Sequence, residues 1–406
     1  MDLHSGTPYW LMSSGLGLVV PALAGDAEVD VAIIGGGITG ALLADSLSRS
    51  GLRVAVLDRR DLGTGSTGAS TALLQYDTDV PLSELGPMMG DEAAARVFRL
   101  GVGAVKSAIE IARELDCPAA QRRSLYLCTR KEDIEFFDRE LPARSRAGLD
   151  CRWLTARELE SGWGIIAHGA ILSGEAGETD PYRLCHALLR RAIAQGALVH
   201  DRTAVEQFWE TDNGWVLLTP TGKRVKARFL VHATGYESAA HLPNGLVTLS
   251  STYALATEPT RPPEGKWADR AIVWEHASPY LYARWTDDRL LIGGEDVAFK
   301  NEKARDALLD KKTGALVAKA AALIPGVRIE PAFAWTGTFA ATRDSLGYIG
   351  PLPGHDTQFF ALGFGGNGIT FSVLAADMLT DRLLGRTNPD AALFAFDRPT
   401  AGADEP

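Results

Sequence analysis

An α/β fold with a second lobe of α+β character, built on a mainly antiparallel sheet, is the class that three features of this sequence predict. Residues 29–58 read VDVAIIGGGITGALLADSLSRSGLRVAVLD: an apolar strand, a glycine turn, a small-residue helix, a second apolar strand and an acid. That order is the Rossmann-like unit that binds dinucleotides. After residue 180 the pattern returns, as a strong helix and then the apolar run FLVHATG at 229–235. Between 246 and 294 it gives way to consecutive β segments. The segments of the two lobes therefore interleave, and 406 residues are enough to build both.

Each residue of the opening unit has a physical task. Gly35 lets the chain turn tightly off the strand, Gly37 lets backbone approach a pyrophosphate, and Gly40 lets the helix pack closely on the sheet. The helix N-terminus turns unpaired N–H groups and its positive dipole end toward phosphate. Asp58 lies at the spacing of about 20 residues expected of an acid that binds the adenosine ribose, which disfavours a 2′-phosphate. The loop 63–71, GTGSTGAST, follows directly and offers N–H and hydroxyl donors to a ligand.

The remaining elements follow in order. Residues 91–115 have helical spacing, 124–129 read as a strand, and a helix starts at Lys131. Asp180 and Pro181 open a helix through Gln195, as N-cap and first-turn proline. Strand-like segments at 197–200 and 203–209 precede a hairpin, 215–219 to 225–229, turning near Thr221 and Gly222. In the second lobe, strands are expected at 246–258, 271–274, 280–285 and 290–293, with helix over 303–324. Strands return near 333–338 and 359–362, and a glycine turn at 363–368 leads into a helix ending at Leu384.

Composition excludes several classes. Charged residues are 23% and the net charge is −10 without a basic block, which argues against nucleic acid as a partner. Cys117, Cys128, Cys151 and Cys185 lack CxxC spacing and fit reduced, packed thiols rather than a disulfide framework or zinc site. Residues 10–25 are apolar and end Ala-Leu-Ala-Gly, but no Lys or Arg precedes Arg49. Residues 1–27 are therefore expected to form an arm packed on the domain, with no membrane span and a cytoplasmic location.

These features together resemble the FAD-dependent amine and amino-acid oxidoreductases of the D-amino-acid oxidase type, relatives of glycine, sarcosine and γ-glutamylputrescine oxidases. Four stretches carry the resemblance: IIGGGITG with LDRRDLGTGSTGASTA; the helix after TDP at 179–181; VHATG at 231–235; and WTGTFAATRDSLGYIGPLP with FALGFGGNGIT. It implies FAD as cofactor. Gly35, Gly37, Ile38, Thr39 and Gly40 would serve the pyrophosphate, with Asp58 and Arg59 at the ribose and adenine. Ser66 and Thr67 match the phosphate-contacting pair, and Thr71, Ala72 and Leu73 the stretch passing the flavin ring. The Val205 backbone matches the adenine contact, and Gly235 and Gly337 belong to the family's strand-end motifs. Phe364, Gly365, Gly366, Asn367, Gly368, Ile369 and Thr370 match the turn at the pyrimidine side of the isoalloxazine, where fixed donors favour the charge of reduced flavin.

The chain departs from the family twice. Phe339 stands where amino-acid-oxidising members carry an arginine for the substrate carboxylate, and an aromatic suits an apolar or cationic amine better. The cysteine or histidine that attaches flavin in some relatives is missing from FAATRD and GSTGAST, so non-covalent FAD is expected. Tyr280, Tyr282 and Arg284 alternate along one strand and would share a face in the substrate pocket, with Trp274, Glu275 and His276 at its rim.

The expected activity is oxidation of a C–N bond of an amine or amino-acid-like small molecule by hydride transfer to flavin, with oxygen or another electron acceptor and no metal. A flavin dehydrogenase of a hydroxy acid or polyol phosphate, using Arg284 as anion site, and a non-catalytic flavoprotein scaffold are the alternatives. A homo-oligomer is left open. The expected division is an arm at 1–27, an FAD-binding domain from 28–85, 165–240 and 331–390, a substrate domain from 86–164 and 241–330, and a C-terminal tail at 391–406.

Overall fold

The fold was read from a computed structural model that describes residues 2–237 and 245–398. Two sheets organise it. The parallel one runs Gln358–Leu362, Arg224–His232, Ala27–Ile34, Val54–Leu57, Leu198–His200, each strand parallel to the next. Tyr348–Pro351 adds an antiparallel edge. The expected hairpin forms from Gly214–Leu218 and Arg224–His232, and Gln207–Thr211 extends it. FLVHATG is therefore not a separate strand. It is the second half of the hairpin strand, which runs on beside Ala27–Ile34. The strand expected from residue 203 begins only at Gln207, because Thr203 donates its N–H to the Asp58 carbonyl and holds that stretch across the strand ends.

Helices Ile38–Arg49, Pro181–Ala194 and Gly368–Leu383 pack together on one face of this sheet. Asp180 caps the second through a bond from the Arg183 N–H, as its position before Pro181 predicts. Their apolar faces join strand residues Val31, Ile33, Val54 and Val56 in the largest core cluster, with every one of these side chains almost fully buried. Burying that much branched aliphatic surface is the main stabilising term, about 1.5–3 kcal/mol per side chain.

The second sheet runs His4–Gly6, Pro331–Ala341, Thr248–Thr257, Arg289–Ala298, Leu281–Thr286, Ile272–Glu275, Ala119–Cys128, Gly169–Thr179, Leu73–Leu74, with Cys151–Thr155 also on Gly169–Thr179. Of these pairs, Ile272–Glu275 with Ala119–Cys128 is parallel and the others are antiparallel. Helix Leu309–Leu323 covers its outer side, over a core that includes Trp267 and Trp285 in edge contact at 5.6 Å.

Sheet membership redraws the expected lobe boundaries. Gly169–Thr179 and Pro331–Ala341, expected in the FAD-binding part, pair in the second sheet. The boundary at 240–241 lies outside the described residues, as do residues 399–406 of the expected tail. The described part of that tail is an anchor rather than a tail. Phe394 is buried, and the Arg398 guanidinium forms a two-bonded pair with Asp344 at 2.7 and 2.8 Å. The arm at the other end is likewise built in: His4–Gly6 pairs with Trp335–Gly337, and Tyr9 and Trp10 are buried in the main core.

Candidate active site

A cavity of about 840 Å³ runs between the two sheets. One end is the glycine turn. Gly35 has φ +113, and a Cβ there would sit 2.3 Å from the Ala233 carbonyl oxygen. A Cβ on Gly40 would come within 1.9 Å of the Gly35 carbonyl oxygen, so Gly40 has its place because of the turn itself rather than the sheet beyond it. Asp58 accepts the Gly36 N–H at 2.7 Å and the Arg60 N–H at 2.8 Å, which fixes both of its oxygens at the strand end. Burial pushes its carboxyl above the usual range. Arg59 and Arg60 both pair with Glu237 beside it.

The loop after Asp58 folds over this end. The Thr67 hydroxyl accepts the Ile38 N–H at 2.9 Å, while the Ser66 hydroxyl is buried with no hydrogen-bond partner. Three successive carbonyls of the loop are then gripped from three directions. Ala69 accepts from the Trp335 indole at 2.8 Å, Ser70 from the Trp10 indole at 2.7 Å, and Thr71 from the Arg284 guanidinium at 2.7 Å. Ala72 follows in a left-handed conformation, φ +52, which costs a residue with a Cβ about 1 kcal/mol and persists because the loop is held on both sides.

The far end of the cavity is made by the second sheet and the C-terminal turn. Tyr280, Tyr282 and Phe339 line it, with Trp274, Glu275 and His276 at its edge. Trp274 stacks on Tyr126 at 3.6 Å, and the Tyr126 hydroxyl bonds His276 Nδ1 at 2.7 Å. Burial lowers His276, which is a structural neighbour of the cavity wall. Phe364, Gly365, Gly366, Asn367, Gly368 and Ile369 form the turn. Its helix starts at Gly368, so the first N–H groups of that helix have no acceptor within it.

Three of the residues expected at the site do not line the cavity. Gly40 lies behind the turn. Thr370 is buried, its hydroxyl bonded to the Gln75 carbonyl at 2.9 Å. Arg284 is the substantial correction: it shares the strand face with Tyr280 and Tyr282 but is only 2% exposed. Its donors go to Thr71, to Glu178 at 3.2 Å and to the Thr179 carbonyl at 3.0 Å, which leaves no fork for a substrate anion. The other candidates, Gly35, Gly37, Ile38, Thr39, Asp58, Arg59, Ser66, Thr67, Thr71, Ala72, Leu73, Val205, Gly235 and Gly337, all line it.

The structure also brings in residues that no motif in the sequence singles out: Tyr126, Asp77, Asp79, Tyr236 and Asp296. Asp77 is buried against Arg144 at 2.6 Å. Asp79 accepts the Gly366 N–H, and Tyr236 donates to the Gly365 carbonyl at 3.4 Å. Among the described residues, no group of three His, Cys, Asp or Glu could hold a metal ion, and no helix is long and apolar enough to cross a membrane.

The family model described as FAD dependent oxidoreductase, DAO, matches residues 30–382. The chain belongs to the DAO family of FAD-dependent oxidoreductases. It is 26% identical over 363 residues to the glycine oxidase of Geobacillus kaustophilus (strain HTA426), covering 87% of this chain and 92% of that one. It is 24% identical over 398 residues to a putative Rieske 2Fe-2S iron-sulfur protein of Bacillus subtilis (strain 168), covering 96% of this chain and 75% of the relative. The crystal structure of the Geobacillus kaustophilus glycine oxidase superposes with a TM-score of 0.76 at 23% identity, over 92% of this chain and 99% of that one, and so shares the fold. For a DAO-family oxidoreductase, the cavity between the two sheets is the candidate site, and FAD is the cofactor the family implies.

Proposed function

We propose that this DAO-family enzyme oxidises a C–N bond of a small amine or amino-acid-like substrate, with FAD held non-covalently in the cavity. The observation that carries the proposal is the continuity of one cavity from the Gly35 turn to the Tyr280–Tyr282 face, which joins a dinucleotide cradle to a substrate-sized end. The residues suit FAD. The partnerless Ser66 hydroxyl and the helix N–H of Thr39 offer donors to a pyrophosphate. Asp58 is fixed for a ribose, Thr71 to Leu73 would carry the flavin ring, and the N–H groups of Gly368 and Ile369 offer a positive helix end to its pyrimidine side.

When bound, FAD supplies the two-electron acceptor for the C–H bond next to nitrogen. The chain's part is to bind, orient and keep water out. Tyr280, Tyr282 and Phe339 give an aromatic wall, and both phenols stay protonated because burial raises them. A substrate amine must be neutral to lose hydride, so turnover rises with pH through the substrate's own amine pKa. The imine then hydrolyses in water, and oxygen or another acceptor takes the electrons. With Arg284 fully engaged in the protein, the reading as a hydroxy-acid or polyol-phosphate dehydrogenase lacks its anion site.

The test is anaerobic. Holoenzyme is mixed with amines, amino acids and hydroxy acids, flavin absorbance is followed, and air is then admitted. Bleaching by amines or amino acids supports the proposal. Bleaching by hydroxy acids alone, or by none of the three, sinks it.

A further inference from the structure

The substrate end of the cavity carries two carboxyl groups that the cofactor does not require. Asp79 comes from the segment after Leu73–Leu74, and Asp296 from strand Arg289–Ala298. A β-bulge delivers Asp296. Ser251 pairs with Val297 and Tyr253 with Gly294, so that Thr252 faces both Glu295 and Asp296. Gly294 at φ +128 and Glu295 at φ +59 carry the irregular backbone. A bulge of this kind re-aims side chains. Here Glu295 goes to Lys312 and Lys319, bonding Lys312 at 2.9 Å, while Asp296 is left on the cavity wall beside Thr252.

Among the described residues Asp296 forms no ion pair; the Thr252 hydroxyl hydrogen-bonds the carboxylate, and Lys312 acts on it only through its charge. The Asp296 Oδ1 is buried and makes no hydrogen bond. An anionic oxygen in that state is costly unless a ligand completes it. Asp79 has a single backbone N–H, from Gly366, and the surface it exposes opens into the same cavity. Among the described residues, the Lys and Arg side chains lining the cavity are Arg59, Arg60 and Arg130. The first two flank Asp58 and pair with Glu237, and Arg130 is held by Asp133 through two bonds of 2.8 Å. Three phenols, Tyr236, Tyr280 and Tyr282, add aromatic surface, with Tyr280 and Tyr282 centroids 5.7 Å apart. Phenol rings and carboxylates together favour an ammonium group and oppose a carboxylate.

We propose that Asp296 and Asp79 bind a second ammonium group of the substrate, so that the enzyme takes diamines or longer polyamines in preference to monoamines and α-amino acids. This rests on the C–N oxidation reading and deepens it. The bulge, the partnerless Asp296 oxygen and the aromatic Phe339 on the cavity wall all point the same way. A monoamine would leave both carboxylates unpaired, whereas a diamine satisfies them with its far end while the near amine meets the flavin.

The probes are putrescine, n-butylamine and glycine, mixed anaerobically with holoenzyme at pH 8. Two signals are read: the flavin spectral change on mixing, before reduction, and the concentration dependence of reduction. Putrescine should bind about tenfold or more tightly than n-butylamine, and glycine more weakly than either. Asp296→Asn should collapse the putrescine preference to about one, and Asp296→Glu should restore part of it. Asp79→Asn keeps an acceptor for the Gly366 N–H and should reduce the preference without loss of bound FAD. FAD content of each variant reports folding. If amines reduce the flavin but putrescine and n-butylamine bind alike, or if Asp296→Asn leaves their ratio intact, this inference fails and the C–N reading stands. If amines fail to reduce the flavin but other amino acids do, only this inference fails; if no amine or amino acid reduces it, both fail.

Discussion

The Arg284 guanidinium donates to the Thr71 carbonyl across 2.7 Å, although the two residues lie 213 apart in the sequence. With the indoles of Trp335 and Trp10 on the two preceding carbonyls, it fixes the stretch that would pass the flavin ring. Glu178 and the Thr179 carbonyl take its other donors, so a shorter or neutral side chain would leave partners unpaired in a buried place. Arg284→Met is therefore expected to lower stability by about 3–5 kcal/mol, the usual cost of removing one member of a buried ion pair. Arg284→Lys, which keeps charge but not the fork, should be milder in stability and still weaken FAD retention. Urea denaturation and the FAD dissociation constant measure the two effects. Unchanged FAD affinity in a folded Arg284→Lys enzyme would remove the positioning role.

The N-terminal arm gives a companion prediction. Trp10 donates to Ser70 and lies beneath the Arg284 guanidinium at 5.2 Å, while strand His4–Gly6 lies on Trp335–Gly337. Trp10→Phe keeps most of the apolar volume and deletes the donor, leaving a loop carbonyl partly unsatisfied at a cost of about 1–3 kcal/mol. The expected result is faster FAD release with little change in the circular dichroism of the protein. An arm that merely fills space would show no change in release rate.

Gly40→Ala tests the glycine turn. Its Cβ would have to occupy a point 1.9 Å from the Gly35 oxygen, and neither backbone can yield without opening the turn. Overpacking of this kind costs about 1–3 kcal/mol or more. The variant should purify with little or no FAD and melt earlier than the parent. Gly103→Ala, in the long helix Asp91–Glu114 with open space around the new methyl, should keep its FAD and melt no earlier than the parent, since alanine favours helix over glycine by about 0.5–1 kcal/mol.

Local structure was legible in the sequence, and long-range structure only in part. The Gly35–Gly40 turn could be read because its constraint is local: strand, turn and helix N-terminus are contiguous, and Asp58 bonds the turn directly through Gly36. The turn at 363–368 was readable for the same reason. Alternation placed Tyr280, Tyr282 and Arg284 on one face correctly, but alternation does not say where the cavity stops along a strand. Arg284 fell beyond it, under the Thr71 loop. Asp296 was invisible because a bulge, fixed by the register between Thr248–Thr257 and Arg289–Ala298, decides which way it points. Gly169–Thr179 and Pro331–Ala341 misled the division into lobes, since strand pairing depends on partners far away along the chain.

Asp344 and Arg398 make a buried pair whose pH dependence has a definite sign. The guanidinium beside it holds the Asp344 carboxyl below the usual range, although burial alone would raise it. A carboxyl lowered on folding adds stability that is present above its unfolded value, near 3.8, and is lost as pH falls through the lower folded value. Arg398→Met leaves Asp344 buried without its partner and should cost about 3–5 kcal/mol at neutral pH. Without the guanidinium, burial holds the variant's Asp344 above the usual range, so the deficit should begin to shrink above pH 3.8 and go on shrinking until the parent's lowered carboxyl also protonates. A deficit independent of pH would mean that lost packing on Tyr348, 4.1 Å beneath the guanidinium, is the whole effect.

Asp296 has the opposite sign. Its carboxyl is pushed up to about 7, first by burial and further by the charges of Asp79 and Glu295, against the lowering effect of Thr252 and of Lys312 on the covering helix. A carboxyl raised on folding contributes stability that is fully present below its unfolded value of 3.8 and is lost as pH rises through the folded value, so the ionised wild-type enzyme carries a penalty above pH 7. Asp296→Asn stays neutral throughout. The variant should therefore equal the parent near pH 3.5, gain on it as pH rises, and level off above pH 7 with an advantage of about 1–2 kcal/mol, because water in the cavity screens part of the cost of the buried charge. Denaturation of holoenzyme across pH 3.5–8.5 measures it. A variant no more stable than the parent at pH 8, with equal FAD content, would show that Asp296 is already neutralised within the protein. A gain that vanishes when putrescine is added to the parent would show instead that the penalty is the one a cationic substrate relieves.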